Sequence, residues 1–314
     1  MNNQPELLVA PKNLAELQLL AEAGACAFVV GDPRFALVVG RSHQPMNLEE
    51  AVSVAHSLGK KIYLLADAIF PNALLSEFAS YLHKAKHLPF DGIRVADLGA
   101  YVLIKQIMQK MPVHFVDGMM LTNHYTVNYW VGKGMIRGRL AHELTLDEIL
   151  EIKNRSTGEI EVLIQGAPLM FTSRRKLISN YLDFQRLREK NVTIFEDGKF
   201  LYDKERDLYY PIIENEHGTH IYGGNDVCMI DALDLLFAAG IDCLYIESFT
   251  YKTESLVKLI QLYKMAINLV AHDLEKYLKI GRVMQFEVKK LQHELRSIDR
   301  GFFYKPTIYK NQNK

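Results

Sequence analysis

The stretch Leu7-Leu8-Val9-Ala10-Pro11-Lys12-Asn13-Leu14-Ala15-Glu16-Leu17-Gln18-Leu19-Leu20-Ala21-Glu22-Ala23-Gly24-Ala25-Cys26-Ala27-Phe28-Val29-Val30 contains the fold in miniature. A short apolar run, 7–9, gives way to apolar residues at helical spacing over 14–22, and then to a second apolar run, 27–30. Asn13 stands where an N-cap is wanted, and Gly24 where a left-handed C-cap is wanted. The stretch reads strand, capped helix, strand. No Gly-x-Gly-x-x-Gly follows the first strand, where Val9-Ala10-Pro11-Lys12 stands instead, so a dinucleotide-binding open sheet loses its main support.

Working outward, the same beat continues with helix 48–58, strand 61–65, helix 74–85, strand 92–95, helix 98–109, strand 113–116, helix 126–132 and strand 136–140. Helix 146–153, strand 161–164, helix 229–239 and strand 243–246 bring the strand count to eight. Asn47 and Thr145 repeat the N-cap, and Gly59 and Gly240 repeat the C-cap. Eight parallel strands with helical crossovers, in about 250 residues, predict a (β/α)8 TIM-type barrel, which closes without leaving an edge. An open doubly wound sheet is the alternative.

The regularity breaks over 170–224, where 195–202 and 209–222 read as hairpin material with turns at Asp197-Gly198 and His217-Gly218. The expected organisation is a barrel over 1–278 carrying this β-rich insertion before its eighth strand. A C-terminal helix and an aromatic tail, 279–314, would pack on it. Within this scheme 253–278 is one long amphipathic helix, 281–297 a second, and Phe302, Phe303 and Tyr304 dock the tail.

Composition bounds the function. The chain has 314 residues, 49% of them hydrophobic, ample for a buried core. Lys and Arg total 37, as do Asp and Glu, so no whole-molecule field steers it to nucleic acid or to an anionic surface. The N-terminus has no basic start followed by an apolar run, and no apolar stretch approaches a membrane span, so a cytoplasmic protein without membrane contact is expected. Cys26, Cys228 and Cys243 lie far apart, with no Cys-x-x-Cys and no disulfide framework.

Barrels of this kind place chemistry just beyond the C-terminal ends of the strands. The residues there are Lys12, Arg34, Asp67, Asp97, Asp117, Asn123, His142, Glu143, Gln165 and Glu247. Asp67, Asp97 and Asp117 follow near-consecutive strands and suit acid–base work or a hard cation, while for Asp97 and Asp117 capping the next helix is the plainer reading. His142-Glu143 lacks the second histidine of a zinc protease, since Leu146 occupies its place. No nucleophile elbow, Walker loop or kinase set occurs. Arg174, Arg175 and Lys176, followed by Arg186, Arg188 and Lys190, make the insertion locally basic and able to meet phosphates; a solvated helix face is the plainer reading.

Several signposts stand along the whole chain: Pro5-Glu6-Leu7-Leu8, Gly31-Asp32-Pro33-Arg34-Phe35, Gly59-Lys60-Lys61-Ile62-Tyr63, Thr122-Asn123, Glu143-Leu144-Thr145-Leu146 and Ser179-Asn180-Tyr181. Together they resemble the collagenase-like peptidase family U-32, over a span from Pro5 to about Tyr304. The segments Asp203-Lys204-Glu205-Arg206-Asp207, Gly218-Thr219-His220-Ile221, Asn225-Asp226-Val227-Cys228 and 299–303 are similar to one branch of it. That branch is the shorter of two paired bacterial members implicated in prephenate-dependent 5-hydroxylation of the tRNA wobble uridine.

The departures are as informative as the matches. Cluster-bearing relatives carry a histidine and two cysteines where this chain has Gln165, Leu169 and Lys176, and only Cys228 matches a family cysteine. One thiolate cannot hold a four-iron cluster. Beyond strand eight, Glu247 is retained, but the arginine expected two residues later is Phe249, which cannot make a bidentate pair with an anion. The resemblance therefore implies a chain with no cofactor of its own, partnered by a larger cysteine-bearing U-32 paralogue, meeting tRNA through that complex, with prephenate as a substrate in the pathway.

The alternatives are a peptidase and a barrel that binds a small anion, through Arg34 and Lys12, without turning it over. The candidate catalytic residues are Glu143, Glu247 and Asp117. The candidate substrate contacts are Lys12, Arg34, Asp67, Asn123, His142, Gln165 and Asp226. Arg174, Arg175 and Lys176 are the candidate contacts for RNA or a partner, and no metal site is expected.

Overall fold

In the computed structural model, residues 4–37, 46–116, 120–186 and 199–305 are described. Strand and helix alternate as the apolar spacing requires: β1 (Glu6–Val9), α1 (Leu14–Ala23), β2 (Ala27–Gly31), α2 (Leu48–Ser57), β3 (Lys61–Ala66), α3 (Asn72–Ala85), β4 (Gly92–Val95) and α4 (Leu98–Ile107). Then follow β5 (Val113–Phe115), α5 (His124–Gly132), β6 (Met135–Arg139), α6 (Leu146–Arg155) and β7 (Glu159–Gly166). The caps expected from sequence form as hydrogen bonds. Asn13, Asn47 and Asp97 each accept a backbone N–H of the first turn they precede, and Thr145 makes a reciprocal capping box with Glu148. Gly24, Gly59 and Gly240 hold positive φ at helix ends.

The insertion follows, as β8 (Leu169–Ser173), α7 (Leu177–Arg186), β9 (Lys199–Asp203), β10 (Leu208–Asn215) and β11 (Gly218–Tyr222). Its strands form a separate antiparallel sheet in the order β8-β11-β10-β9. The turn expected at His217-Gly218 is where β10 meets β11. The one expected at Asp197-Gly198 lies outside the described residues, and the insertion carries the helix α7 as well as strands.

The chain re-enters the barrel through β12 (Asn225–Cys228), α8 (Leu233–Ala238) and β13 (Cys243–Ile246), and finishes with α9 (Thr253–His272), α10 (Leu274–Lys290) and β14 (Ser297–Asp299). β13 pairs in parallel with both β1 and β7, which closes eight parallel strands into a (β/α)8 barrel. β12 is an extra strand, antiparallel to the end of β7 and joined by β14. The largest differences from the sequence reading lie in the C-terminal helices, where α10 spans Leu274–Lys290 in place of 281–297, and at the start of α8. The long helix stops at His272, because the Asp273 carboxylate accepts the Lys276 N–H and caps a new helix, so a division at 278/279 falls inside α10. α8 starts late, because the Met229 amide is spent on the Ile164 carbonyl of β7 and the Ala232 amide on the Met229 carbonyl in the turn out of β12.

Both faces of the barrel strands are largely buried, although Ile136 of β6 is exposed, so alternate residues serve two cores. Leu7 and Val9, Ile62 and Leu64, and Leu244 and Ile246 point outward to the helices. Leu8, Tyr63, Leu65, Cys243 and Tyr245 point inward, with Val29, Val116 and Leu163. The inner set is smaller, and polar side chains complete it.

Candidate functional site

Those inward polar side chains form a column along the barrel axis. At the end where the strands begin, Arg137 donates to Glu6 at 2.5 Å and through Nε to Glu159 at 2.8 Å, and the Tyr63 hydroxyl donates to Glu6 at 2.8 Å. At mid-depth Arg94, 1% exposed, forms a bidentate pair with Glu161, 0% exposed, at 2.6 and 2.7 Å. Burial works against the Glu161 charge, but the Arg94 guanidinium outweighs it and lowers the carboxyl to about 2. His114 sits beside this pair; burial, with Arg137 and Arg94 nearby, holds it well below the ordinary histidine value and therefore neutral.

Above the pair, at the end where the strands finish, is a cavity of about 190 Å³. Its polar wall is Asp67, Arg94, Arg139, His142, Tyr245 and Glu247. Tyr245 lies between two guanidiniums, with Arg94 5.8 Å and Arg139 5.2 Å from its ring centre, and its hydroxyl donates to Glu247 at 2.9 Å. Arg139 donates one N–H to the Val116 carbonyl at 2.7 Å. Burial raises both Asp67 and Glu247 above the ordinary carboxyl range. Burial and then Arg139 push His142 down to about 4. The chamber thus combines fixed cations with two carboxyls that take up protons readily and a neutral imidazole, a set suited to holding a small anion and moving a proton beside it.

The roof comes from the insertion: Leu169, Thr172 and Tyr222 complete the wall. Tyr222 packs on Phe249 with ring centres 4.2 Å apart, so Phe249 anchors the roof. The turn out of β7 is set by Gly166, at φ +103°, where a Cβ would lie 2.4 Å from the Glu247 carbonyl oxygen. Only glycine lets β7 pass this close beneath Glu247.

Of the residues expected from sequence, the structure brings Asp67, His142 and Glu247 together in the chamber. The others stand elsewhere. Lys12 bonds the Thr253 hydroxyl and lies 3.8 Å from Glu16, tying the β1–α1 turn to α9. Arg34 is held by Asp32 and Glu77 on a separate open cleft that Arg174, Glu216 and His217 also line. Asn123 is exposed and caps α5 by accepting the Thr126 N–H at 2.9 Å. Gln165 is 0% exposed and bonded to Tyr251 and Tyr263 outside the chamber.

Asp226 is fully buried in an ion pair with Arg296 and accepts from Tyr251 at 2.8 Å, which pins β12 to the C-terminal segment. Glu143 is exposed and outside the chamber wall. Asp117 lies outside the described residues. Arg174, Arg175 and Lys176 are exposed on the loop between β8 and α7. The sequence reading missed Arg94, Arg139, Tyr245 and Tyr222. The signal for the first two was present as charges set inside apolar strand runs, Arg94 in β4 and Arg137 and Arg139 in β6, opposite Glu161 in β7.

The positions at which the resemblance implies cluster ligands do not suit a cluster here. Leu169 is part of the chamber roof, Gln165 is spent on two tyrosines, and burial raises the Cys228 thiol to about 11, away from thiolate. Among the described residues, no group of three His, Cys, Asp or Glu side chains is placed to share a metal ion. No described helix is long and apolar enough to cross a membrane.

The chain is 37% identical over 307 residues to tRNA hydroxylation protein P2 of Bacillus subtilis (strain 168), covering 98% of this chain and 99% of that protein. It is 27% identical over 308 residues to tRNA hydroxylation protein P of Escherichia coli (strain K12), covering 84% and 68% respectively. It is also 24% identical over 279 residues to tRNA hydroxylation protein P1 of Bacillus subtilis (strain 168), covering 88% of this chain and 66% of that longer protein. One organism thus holds both a P1 and a P2 relative. The sequence pattern of peptidase family U32 matches residues 12–313, and the chain belongs to that family.

Proposed function

We propose that this chain serves tRNA hydroxylation as the cluster-free partner of a longer, cysteine-bearing U32 paralogue, and that its barrel holds a small carboxylate such as prephenate. The observation that carries the reading is the end-to-end likeness to a protein named for tRNA hydroxylation, in a chain whose cluster positions are Gln165, Leu169 and Lys176. The P1 and P2 pair in one organism supports a division of labour between paralogues. The carboxylate reading is supported by Arg139 in the chamber wall and by the flanking Asp67 and Glu247, which when protonated donate to an anion instead of repelling it. A roofed space of about 190 Å³ suits a small molecule better than a polypeptide, and Glu143 stands outside it, so the family's peptidase label finds little support here.

The test is mass spectrometry of tRNA nucleosides after deletion of the gene: 5-hydroxyuridine is expected to fall, and an unchanged level refutes the assignment. If the chain restores the nucleoside in cells lacking every paralogue, the partner role is wrong. For the chamber, a carboxylate at 100 times its Kd adds about 2.7 kcal/mol to stability, visible as a thermal shift. Arg139→Met is expected to abolish that shift, and an unaltered shift removes Arg139 from the site.

A further inference from the structure

The loop joining β8 to α7 carries Arg174, Arg175 and Lys176 in succession, and its backbone is held from beneath. Thr219, 0% exposed, accepts the Leu177 N–H at 2.9 Å, and its single hydroxyl proton is shared between the Arg175 carbonyl and the Glu214 carboxylate, each 2.9 Å away. Ser173 Oγ accepts the Arg175 N–H at 3.2 Å. Gly218 has φ +115°, and a Cβ there would fall 2.0 Å from the Ser173 carbonyl oxygen and 2.7 Å from the Arg174 Cα. The loop is therefore seated on β11 so closely that only glycine fits below it, and its shape is set before any partner arrives.

Arg174 shares a cleft with Glu77 and Glu216, but Glu77 is paired with Arg34, and the loop's charge stays open to an outside anion. The obvious internal counter-charge, Glu214, is already committed: it accepts the Ile178 and Ser179 amides, the Ser179 hydroxyl and the Thr219 hydroxyl, and these bonds hold its carboxyl below the ordinary value against the effect of burial. Among the described residues Arg174, Arg175 and Lys176 form no ion pair, whereas Arg34, Lys61, Lys153, Arg155, Lys279 and Arg300 each do. Met170 and Phe171, 50% and 45% exposed, lie on the same strand just before the cations. Thr172, between them and the loop, lines the chamber.

From these observations we propose that the 173–176 loop is a preorganised clamp for the phosphates of a single-stranded RNA segment, with Phe171 offering a face for a base, at the edge of the barrel mouth. The inference rests on the tRNA reading above. Three consecutive cations on a braced backbone suit a repeating polyanion, and an exposed aromatic beside them suits unstacked bases.

The test is fluorescence anisotropy of a labelled RNA hairpin with a uridine-containing loop, bound to the full chain, alone and with its paralogue, over a range of salt. Changing Arg174, Arg175 and Lys176 together to Glu, with circular dichroism unchanged, is expected to weaken binding and to make the slope of log K against log salt shallower by about 2, from about 0.7 per phosphate contact. Gly218→Ala keeps every charge but displaces the loop, and is expected to weaken binding as well.

Equal affinity and slope in the triple variant overturn the proposal, as does a wild-type chain that binds no RNA in either form. Loss of paralogue co-elution with RNA affinity intact would assign the loop to a protein partner and overturn it too. RNA binding that depends on the loop, in a strain whose tRNA nucleosides do not need the gene, would keep the clamp and sink the pathway.

Discussion

Replacing Glu161 by Gln tests whether the barrel interior is organised around its buried ion pair. Glu161 and Arg94 are 0% and 1% exposed and joined by two short hydrogen bonds. Lowering the carboxyl from 4.5 to about 2 corresponds to about 3 kcal/mol of preference for its ionised form in the folded state. The amide leaves the Arg94 charge buried and uncompensated, which costs about 3–5 kcal/mol. Because the folded value is depressed, the stabilisation is present above the unfolded carboxyl value and is lost as pH falls from about 4.5 toward 2.

Urea titrations followed by circular dichroism, from neutral pH downward, should therefore show a large loss of stability in Glu161→Gln at neutral pH. The wild-type decline belonging to this group should be missing from the variant's acid limb. Replacing both partners, as Arg94→Met with Glu161→Leu, should recover most of the loss, since it removes the desolvated charge along with its partner. A neutral-pH cost below about 1 kcal/mol, or a double variant no better than the single one, would refute the reasoning, because either outcome means that water or another group compensates Arg94.

Two more outcomes follow from the chamber. Glu247 has a raised carboxyl, so the stability it contributes is full below the unfolded value and is lost as pH rises through its folded one. Glu247→Gln should therefore flatten the decline of the urea midpoint across that range, and parallel curves for the two proteins would count against a half-buried, proton-accepting Glu247. Gly166→Ala places a methyl group 2.4 Å from the Glu247 carbonyl oxygen at φ +103°, so it should cost more than about 1 kcal/mol and weaken carboxylate binding together with stability. An alanine variant with wild-type calorimetric affinity would show that the turn beneath Glu247 does not set the chamber.

The sequence by itself determined the eight-strand beat, the caps and the place of the insertion, because these are local. Period, N-cap and C-cap residues act within one turn or one strand, so Asn13, Thr145 and Gly240 could be assigned from their neighbours. Asp67, His142 and Glu247 were legible for a related reason: a parallel barrel puts its chemistry at strand ends, wherever the strands end. The same rule also collected Lys12, Asn123 and Gln165, which the fold uses for a tie, a cap and a core hydrogen bond.

Only the tertiary structure decided which strand face looks inward, since both faces of a barrel strand are apolar and period alone cannot separate them. That choice makes Arg94 and Arg139 part of the chamber and pairs Arg94 with Glu161, 67 residues away. It also brings Tyr222 of the insertion over Glu247 of the last barrel strand. Such contacts depend on closure of the barrel across the whole chain, and charges inside otherwise apolar strands were their one local trace.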